Sequence, residues 1–177
     1  MKKSQICITE KGFTMTEILV VVAITALLTA TLIVYSKTGE RQLALYRDQS
    51  RIIAALFRAK SLAINTYGET KIPCGYGVHF DSSGSFWIFQ DLSMDTCASA
   101  NHVYNEGELV ESFNLVNGIS FSSINLTDVV FIPPDPSVII TDNNGNNPEE
   151  ANISLNAAGG DNFAGIKITN SGQISGE

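Results

Sequence analysis

The chain of 177 residues carries 11 Lys and Arg, 18 Asp and Glu, and a formal net charge of −7, which suits one modest domain plus an additional helix. The basic residues cluster between Lys37 and Lys60, whereas the chain after Ser61 contains two Lys and fourteen acidic residues. Nucleic-acid binding depends on Lys and Arg contacts to phosphates. We therefore expect no nucleic-acid partner for this acidic C-terminal part.

An apolar segment lies close to the N-terminus. No charged residue, Pro or Gly occurs from Ile18 to Tyr35, and the uncharged residues from Phe13 to Thr16 extend the segment to about 20 residues, the length that spans a bilayer. A helix is the expected conformation, because it satisfies its own backbone polar groups in lipid. Lysines precede the segment, and a positive flank stays cytoplasmic. The pattern predicts a single pass through the inner membrane, with the bulk of the chain outside the cytoplasm.

The residues before this segment read Lys-Gly-Phe-Thr-Met-Thr-Glu, from Lys11 to Glu17. A secretory signal peptide has a shorter apolar region that ends in small residues, so it does not fit; a plain single-pass anchor remains an alternative. The arrangement resembles the class III signal of type IV prepilins and type II secretion pseudopilins. This resemblance implies cleavage by prepilin peptidase between Gly12 and Phe13, methylation of the new amine of Phe13, and assembly with other pilin or pseudopilin subunits through the helix.

The same resemblance implies a role in filament assembly for Glu17, the acid between the leader and the apolar segment. Its carboxylate would pair with the free N-terminal amine of a neighbouring subunit. Two opposite charges at about 4 Å attract by roughly 4 kcal/mol at an effective dielectric near 20. The alternative is an acid that reaches the membrane interface and needs no partner.

Four segments are predicted: a prepilin leader at 1–12, a transmembrane and polymerisation helix at 13–35, a soluble continuation of the helix at 36–66, and a β-rich head at 67–177. In the continuation, apolar residues recur at three- and four-residue steps and predict one buried stripe. The stripe contains Ile52, Ile53, Leu56, Phe57, Ala63 and Ile64. Charged residues including Asp48 are placed on the outer face, and Tyr67-Gly68 predicts the end of the helix.

Beyond Pro73, short alternating runs separated by turn residues predict an antiparallel sheet, so the fold class is α+β with a pilin-like layout. A hairpin is predicted across 81–84, a turn at Asn117-Gly118, and a final short hairpin at 170–172. Further strands are predicted at 129–132, 138–141, 151–155 and 164–169.

The order of these runs is similar to that of H-type minor pseudopilins of type II secretion and FimT-like minor pilins. The similarity rests on the phrases at 58–64, 77–80, 86–89, 129–133 and 166–172. It implies a minor subunit at or near the tip of a type IV pilus or a type II secretion pseudopilus, and no enzymatic activity. A major pilin and a membrane-anchored extracytoplasmic binding module are the alternatives.

Three cysteines are present, and Cys7 lies in the leader. Cys74 and Cys97 remain in the outward part, where an even number of cysteines in an oxidising compartment favours a disulfide. Such a bridge closes a loop of about 24 residues and stabilises by about 3 kcal/mol on the chain-entropy estimate. Two free thiols are the alternative.

No motif for catalysis or for a metal is found, so no cofactor is expected. His79 is interpreted as a sheet-face residue and His102 as a loop residue, and the acids Glu106 and Glu108 as a solvated edge. The stretch 142–150 is rich in oxygen-bearing side chains, the ligand type that binds Ca²⁺, so a calcium site is an alternative here. It fails the EF-hand pattern at the sixth and twelfth positions, which are Asn147 and Ile153. A flexible surface loop is the simpler interpretation.

Overall fold

The computed structural model describes residues 12–65, 73–93, 96–133, 137–159 and 162–177. The chain divides into two compact units, Met1–Glu40 and Arg41–Glu177. A single long helix, α1 (Met15–Asn65), contributes its first part to the first unit and its remainder to the second. Most of the leader, and the helix end predicted at Tyr67-Gly68, lie outside the described residues.

The first unit contains the apolar part of α1. Thr14 precedes the helix, and its side-chain Oγ1 accepts the Glu17 N–H at 3.2 Å, an N-cap hydrogen bond of the kind that Thr commonly makes. The hydroxyls of Thr25, Thr29 and Thr31 donate to carbonyls three or four residues earlier, at 2.7 to 3.0 Å. The hydroxyls of these three threonines are therefore hydrogen-bonded within the helix itself.

In the second unit, one face of α1 is buried against the sheets, and the predicted stripe is correct in four of its six residues. Ile52, Leu56 and Ala63 are fully buried, and Ile53 is partly buried against the core. Phe57 is 50% exposed and Ile64 is 48% exposed. Each of these two residues follows a buried position directly, and one residue turns the helix by about 100°, so both point away from the core. The buried face consists of Leu45, Asp48, Gln49, Ile52, Ala55, Leu56, Ala59 and Ala63.

The described residues after the helix form antiparallel strands, which confirms the α+β class. The strands are β1 (Gly75–Asp81), β2 (Ser85–Asp91), β3 (Leu109–Asn114), β4 (Ile119–Ile124), β5 (Leu126–Ile132), β6 (Ser137–Asp142), β7 (Glu150–Ala157), β8 (Phe163–Thr169) and β9 (Ile174–Gly176). They form two sheets rather than one: a five-stranded sheet A in the order β3-β2-β1-β5-β6, and a four-stranded sheet B in the order β4-β7-β8-β9.

Two predicted hairpins are present, and the turn between them along the chain has a different role. β1 pairs with β2 across the 82–84 turn, and β8 pairs with β9. At Asn117-Gly118 the chain does turn, and the Ile119 N–H donates to the Val116 carbonyl at 2.9 Å. However, β3 pairs with β2 in sheet A, whereas β4 pairs with β7 in sheet B. This turn therefore carries the chain from one sheet to the other.

The central strands of sheet A, β1, β2 and β5, carry buried residues on both faces. Val78, Phe80, Phe86 and Ile88 belong to the main core together with the buried face of α1 and the inner face of sheet B. Phe89 is equally buried but lies outside that core cluster. Side chains alternate across a strand, so Phe89 belongs to the opposite face of sheet A. That second face is covered by residues 96–108, which we call the 96–108 loop.

Candidate functional sites

The first candidate site is the N-terminal part of α1, where the predicted cleavage and assembly residues lie. Gly12 and Phe13 precede the helix, and Phe13 is 77% exposed. Glu17 lies in the first turn, and its carboxylate makes no hydrogen bond or ion pair with another described residue. Glu17 directly precedes the apolar segment, so an acid without a counter-charge among the described residues lies at the edge of a surface suited to lipid.

The N-terminal part of α1, which contains Glu17, is long and apolar enough to cross a membrane. The segment Met15–Ile33 has a mean hydropathy of 2.2, and none of it is buried inside the protein. Its large apolar side chains are mostly exposed by more than half, with Leu27 at 70% and Leu32 at 69%. Soluble monomers rarely expose a continuous apolar surface of this extent.

The second candidate site is the 96–108 loop and the face of sheet A beneath it. Cys97 begins a short 3₁₀ turn, Cys97–Ser99, and forms a disulfide with Cys74, which directly precedes β1. The two Cα atoms are 5.0 Å apart, and the Cys74 N–H donates to the Asp91 carbonyl at 2.8 Å. The structure thus places both predicted cysteines in one covalent link between the loop and the sheet.

Each histidine is paired with a fully buried aspartate. His79 does lie on a strand face, and its Nδ1 is 2.8 Å from Asp128 Oδ1 on the neighbouring strand β5. His102 does lie in a loop, at a φ of 56°, and its Nδ1 is 2.7 Å from Asp91 Oδ2 at the end of β2. Both aspartates have fully buried side chains, whereas the histidine side chains are about one-fifth exposed.

Glu108 corrects the interpretation of the paired acids as a solvated edge. Glu106 is exposed, but Glu108 is only 5% exposed. Its Oε1 accepts the Leu92 N–H at 3.0 Å, and its Oε2 accepts the Asn105 N–H at 2.7 Å. The Glu108 carboxylate therefore joins Leu92, just after the end of β2, to Asn105 in the loop. Its charge is compensated by backbone N–H donors rather than by water.

Asp48 is a second correction, because it lies on the buried face of α1 and not on the outer face. Its Oδ2 accepts the Val116 N–H at 2.7 Å, and its Oδ1 accepts a hydrogen bond from the Arg51 guanidinium at 2.9 Å. Asp48 thus joins the helix to the turn that crosses between the sheets. The burial of Asp128 could have been predicted from the sequence, since it is an acid inside the largely apolar run 126–132. No local sequence pattern indicates that Asp48 or Asp91 is buried.

The oxygen-rich stretch 142–150 forms a self-contained turn. The Asn146 side-chain Nδ2 donates to Asp142 Oδ2 at 3.0 Å, and the backbone N–H groups of Asn146 and Asn144 donate to Asp142 Oδ1 at 2.7 and 2.8 Å. These hydrogen bonds, with that of the Asn146 side chain the largest cause, lower the pKa of the Asp142 carboxyl. Within the described part of the chain, no group of three or more His, Cys, Asp or Glu side chains is arranged to hold a metal ion.

Comparison with known proteins returns no match. Neither a protein-family model, nor a curated protein, nor a solved structure matches this chain. Its function is therefore inferred from the residues and contacts described above.

Proposed function

We propose that the chain is a prepilin-like subunit that is anchored in the inner membrane, processed after Gly12, and assembled into a filament through the N-terminal half of α1. The observation that carries this proposal is the unburied apolar segment Met15–Ile33. Before assembly, lipid covers this apolar surface and keeps it from water. After assembly, the apolar helices of neighbouring subunits cover it, so the same surface serves in both states.

The position of Glu17 supports the assembly role. A carboxylate at the edge of a bilayer is costly unless it finds a counter-charge or reaches water. Cleavage after Gly12 creates a new amine at Phe13, four residues before Glu17. In a staggered array of parallel helices, that amine on one subunit reaches Glu17 on the next. The pair would both fix the register of the helices and remove the cost of two unpaired charges.

The second unit, Arg41–Glu177, contains the helix continuation from Arg41 and the β-rich head predicted at 67–177; it is called the head from here on, and in this proposal it lies outside the cytoplasm. Lysines precede the membrane segment in the sequence, and the disulfide between Cys74 and Cys97 is of the kind that persists in oxidising compartments. A helix packed on antiparallel sheets is compatible with the pilin-like layout that the sequence resemblance implies. We assign the head a packing role, as a minor subunit near the tip of a type IV pilus or a type II secretion pseudopilus, with prepilin peptidase and other subunits as partners and no catalytic reaction of its own.

The decisive experiment is mass spectrometry of the mature N-terminus recovered from cells. We expect a polypeptide that begins at a methylated Phe13. A chain that retains its initiator methionine, or that is trimmed at another residue, would rule out the proposed processing. Substitution of Gly12 by a bulky residue should block cleavage and leave the full-length chain in the membrane.

The role of Glu17 is tested separately from cleavage. Glu17→Ala should be processed normally but should be lost from filaments sheared from the cell, because the amine of the neighbouring subunit has no partner. Glu40→Ala is the matched control, since Glu40 is an exposed acid in the same helix beyond the apolar segment. Incorporation of Glu17→Ala at the level of the control would remove the proposed pairing.

A further inference from the structure

The 96–108 loop covers an aromatic surface on sheet A. The Tyr104 ring contacts three side chains of this surface: His79 at 5.3 Å, Trp87 at 5.2 Å and Phe89 at 5.6 Å between ring centroids. His79 also stacks on Trp87 at 4.6 Å. The loop has little regular structure of its own, so its position depends on these contacts and on a few polar anchors.

The loop is hydrogen-bonded to two aspartate carboxylates that are shielded from water while the loop covers the sheet. Asp91 accepts from His102 of the loop, and Asp128 Oδ1 accepts the Tyr104 N–H at 3.2 Å. One oxygen of each aspartate, Asp91 Oδ1 and Asp128 Oδ2, is buried without a hydrogen-bond partner, and so is Trp87 Nε1. A buried polar atom without a partner costs free energy that water would recover if the loop moved away.

We propose that the 96–108 loop is a proton-operated lid, held on sheet A by the pair between His102 and Asp91 when that pair carries a proton, and released as the pH rises. Release leaves the loop tethered by the disulfide at Cys97 and exposes the aromatic surface around Trp87. This device belongs to the head alone and does not depend on membrane insertion or on filament assembly.

The direction of the pH effect follows from the groups that face the pair. Burial raises the pKa of the Asp91 carboxyl, His102 opposes the rise, and the charge of Glu108 adds to it. A raised pKa means that the closed lid holds a proton more tightly than the open lid, in which Asp91 is hydrated. The stability gained in this way is present at low pH and is lost as the pH rises through the pKa of the folded state.

His102 Nδ1 lies 2.7 Å from Asp91 Oδ2, so a loop residue is joined directly to the carboxyl whose hydration the closed loop excludes. The second pair is faced by more groups, because Asp128, Tyr104, Trp87 and Asp81 all lie around His79. His79 and Asp128 both belong to sheet A, and the loop contacts this pair through Tyr104, whose N–H donates to Asp128 Oδ1.

Hydrogen exchange of the full chain in detergent micelles, measured at pH 4.5, 6.0 and 8.0, tests the lid. After correction for intrinsic exchange rates, protection of amides in the 96–108 loop should fall as the pH rises, by at most about tenfold per pH unit for one proton linked to closure. Amides of β8 serve as an internal reference and should keep their protection. Equal protection of the loop at all three pH values would overturn the proposal, as would a parallel loss in β8.

Two variants and one control assign the effect to the pair. Asp91→Asn keeps the shape of the side chain but removes its charge, and His102→Gln removes the partner; each should flatten the pH dependence of loop protection. Glu106→Gln removes an exposed charge of the same loop and should leave the pH dependence intact. Far-ultraviolet circular dichroism, which reports the backbone structure of the helix and sheets and not the surroundings of Trp87, verifies that each variant is folded. A folded Asp91→Asn that keeps the wild-type pH dependence would refute the assignment.

Discussion

Asp48→Ala should be among the most damaging single substitutions in the head. Asp48 has no exposed side-chain surface, and its carboxylate accepts one bond from a backbone amide and one from Arg51. A hydrogen bond to a charged group contributes about 1.5–3 kcal/mol, and a buried N–H left unpaired costs about 1–3 kcal/mol. Arg51 is 35% exposed and keeps a bond to the Asn114 carbonyl, so its guanidinium loses little. We expect the free energy of unfolding to fall by about 2–4 kcal/mol.

The assay is urea unfolding of the full chain in a mild detergent, followed by the near-ultraviolet signal of Trp87, the only tryptophan. Asp48→Asn retains an acceptor for the Val116 N–H and should cost about half as much. Arg47→Ala removes an exposed neighbouring charge and should change stability by less than about 0.5 kcal/mol. The reasoning fails if Asp48→Ala costs less than about 1 kcal/mol, or if Asp48→Asn costs as much as Asp48→Ala.

Three further predictions concern the stability of the head and use the same assay. Leu56→Ala should cost about 2–5 kcal/mol because Leu56 is fully buried, whereas Phe57→Ala should cost far less; equal costs would instead support the stripe predicted from the sequence, which contains both residues. Gly77→Ala should cost about 1–3 kcal/mol, since a Cβ there would lie 2.6 Å from the Phe89 ring and 2.8 Å from the Val129 carbonyl oxygen. Gly39→Ala, which has open space around it, is its control. Cys97→Ser should cost about 3 kcal/mol, and a reducing agent should lower the wild type by a similar amount; unchanged stability on reduction would contradict a structural bridge.

Local sequence patterns were sufficient for the elements themselves. The apolar run predicts the helix that starts at Met15, and the alternating runs with turn residues between them predict β1 with β2 and β8 with β9. These features depend on residues that are close in sequence, because helix periodicity, strand alternation and short turns are all read within a window of about ten residues.

The same patterns did not determine which elements meet. Asn117-Gly118 predicts a turn, but nothing in the residues around it shows that the two strands it connects belong to different sheets. Pairing with distant strands places β3 in sheet A and β4 in sheet B. Phe57 and Leu56 are equally apolar, and the position of the sheets relative to the helix decides which of them is buried.

The sequence by itself determined an apolar N-terminal helix, a β-rich head and an acid at the start of the apolar segment. Only the tertiary structure decided that Asp48, Asp91 and Glu108 are buried. A carboxylate can leave water only where donors from other parts of the chain replace its hydration. For Asp48 that donor is the backbone amide of Val116, 68 residues away in sequence, and no local pattern records such a distant partner.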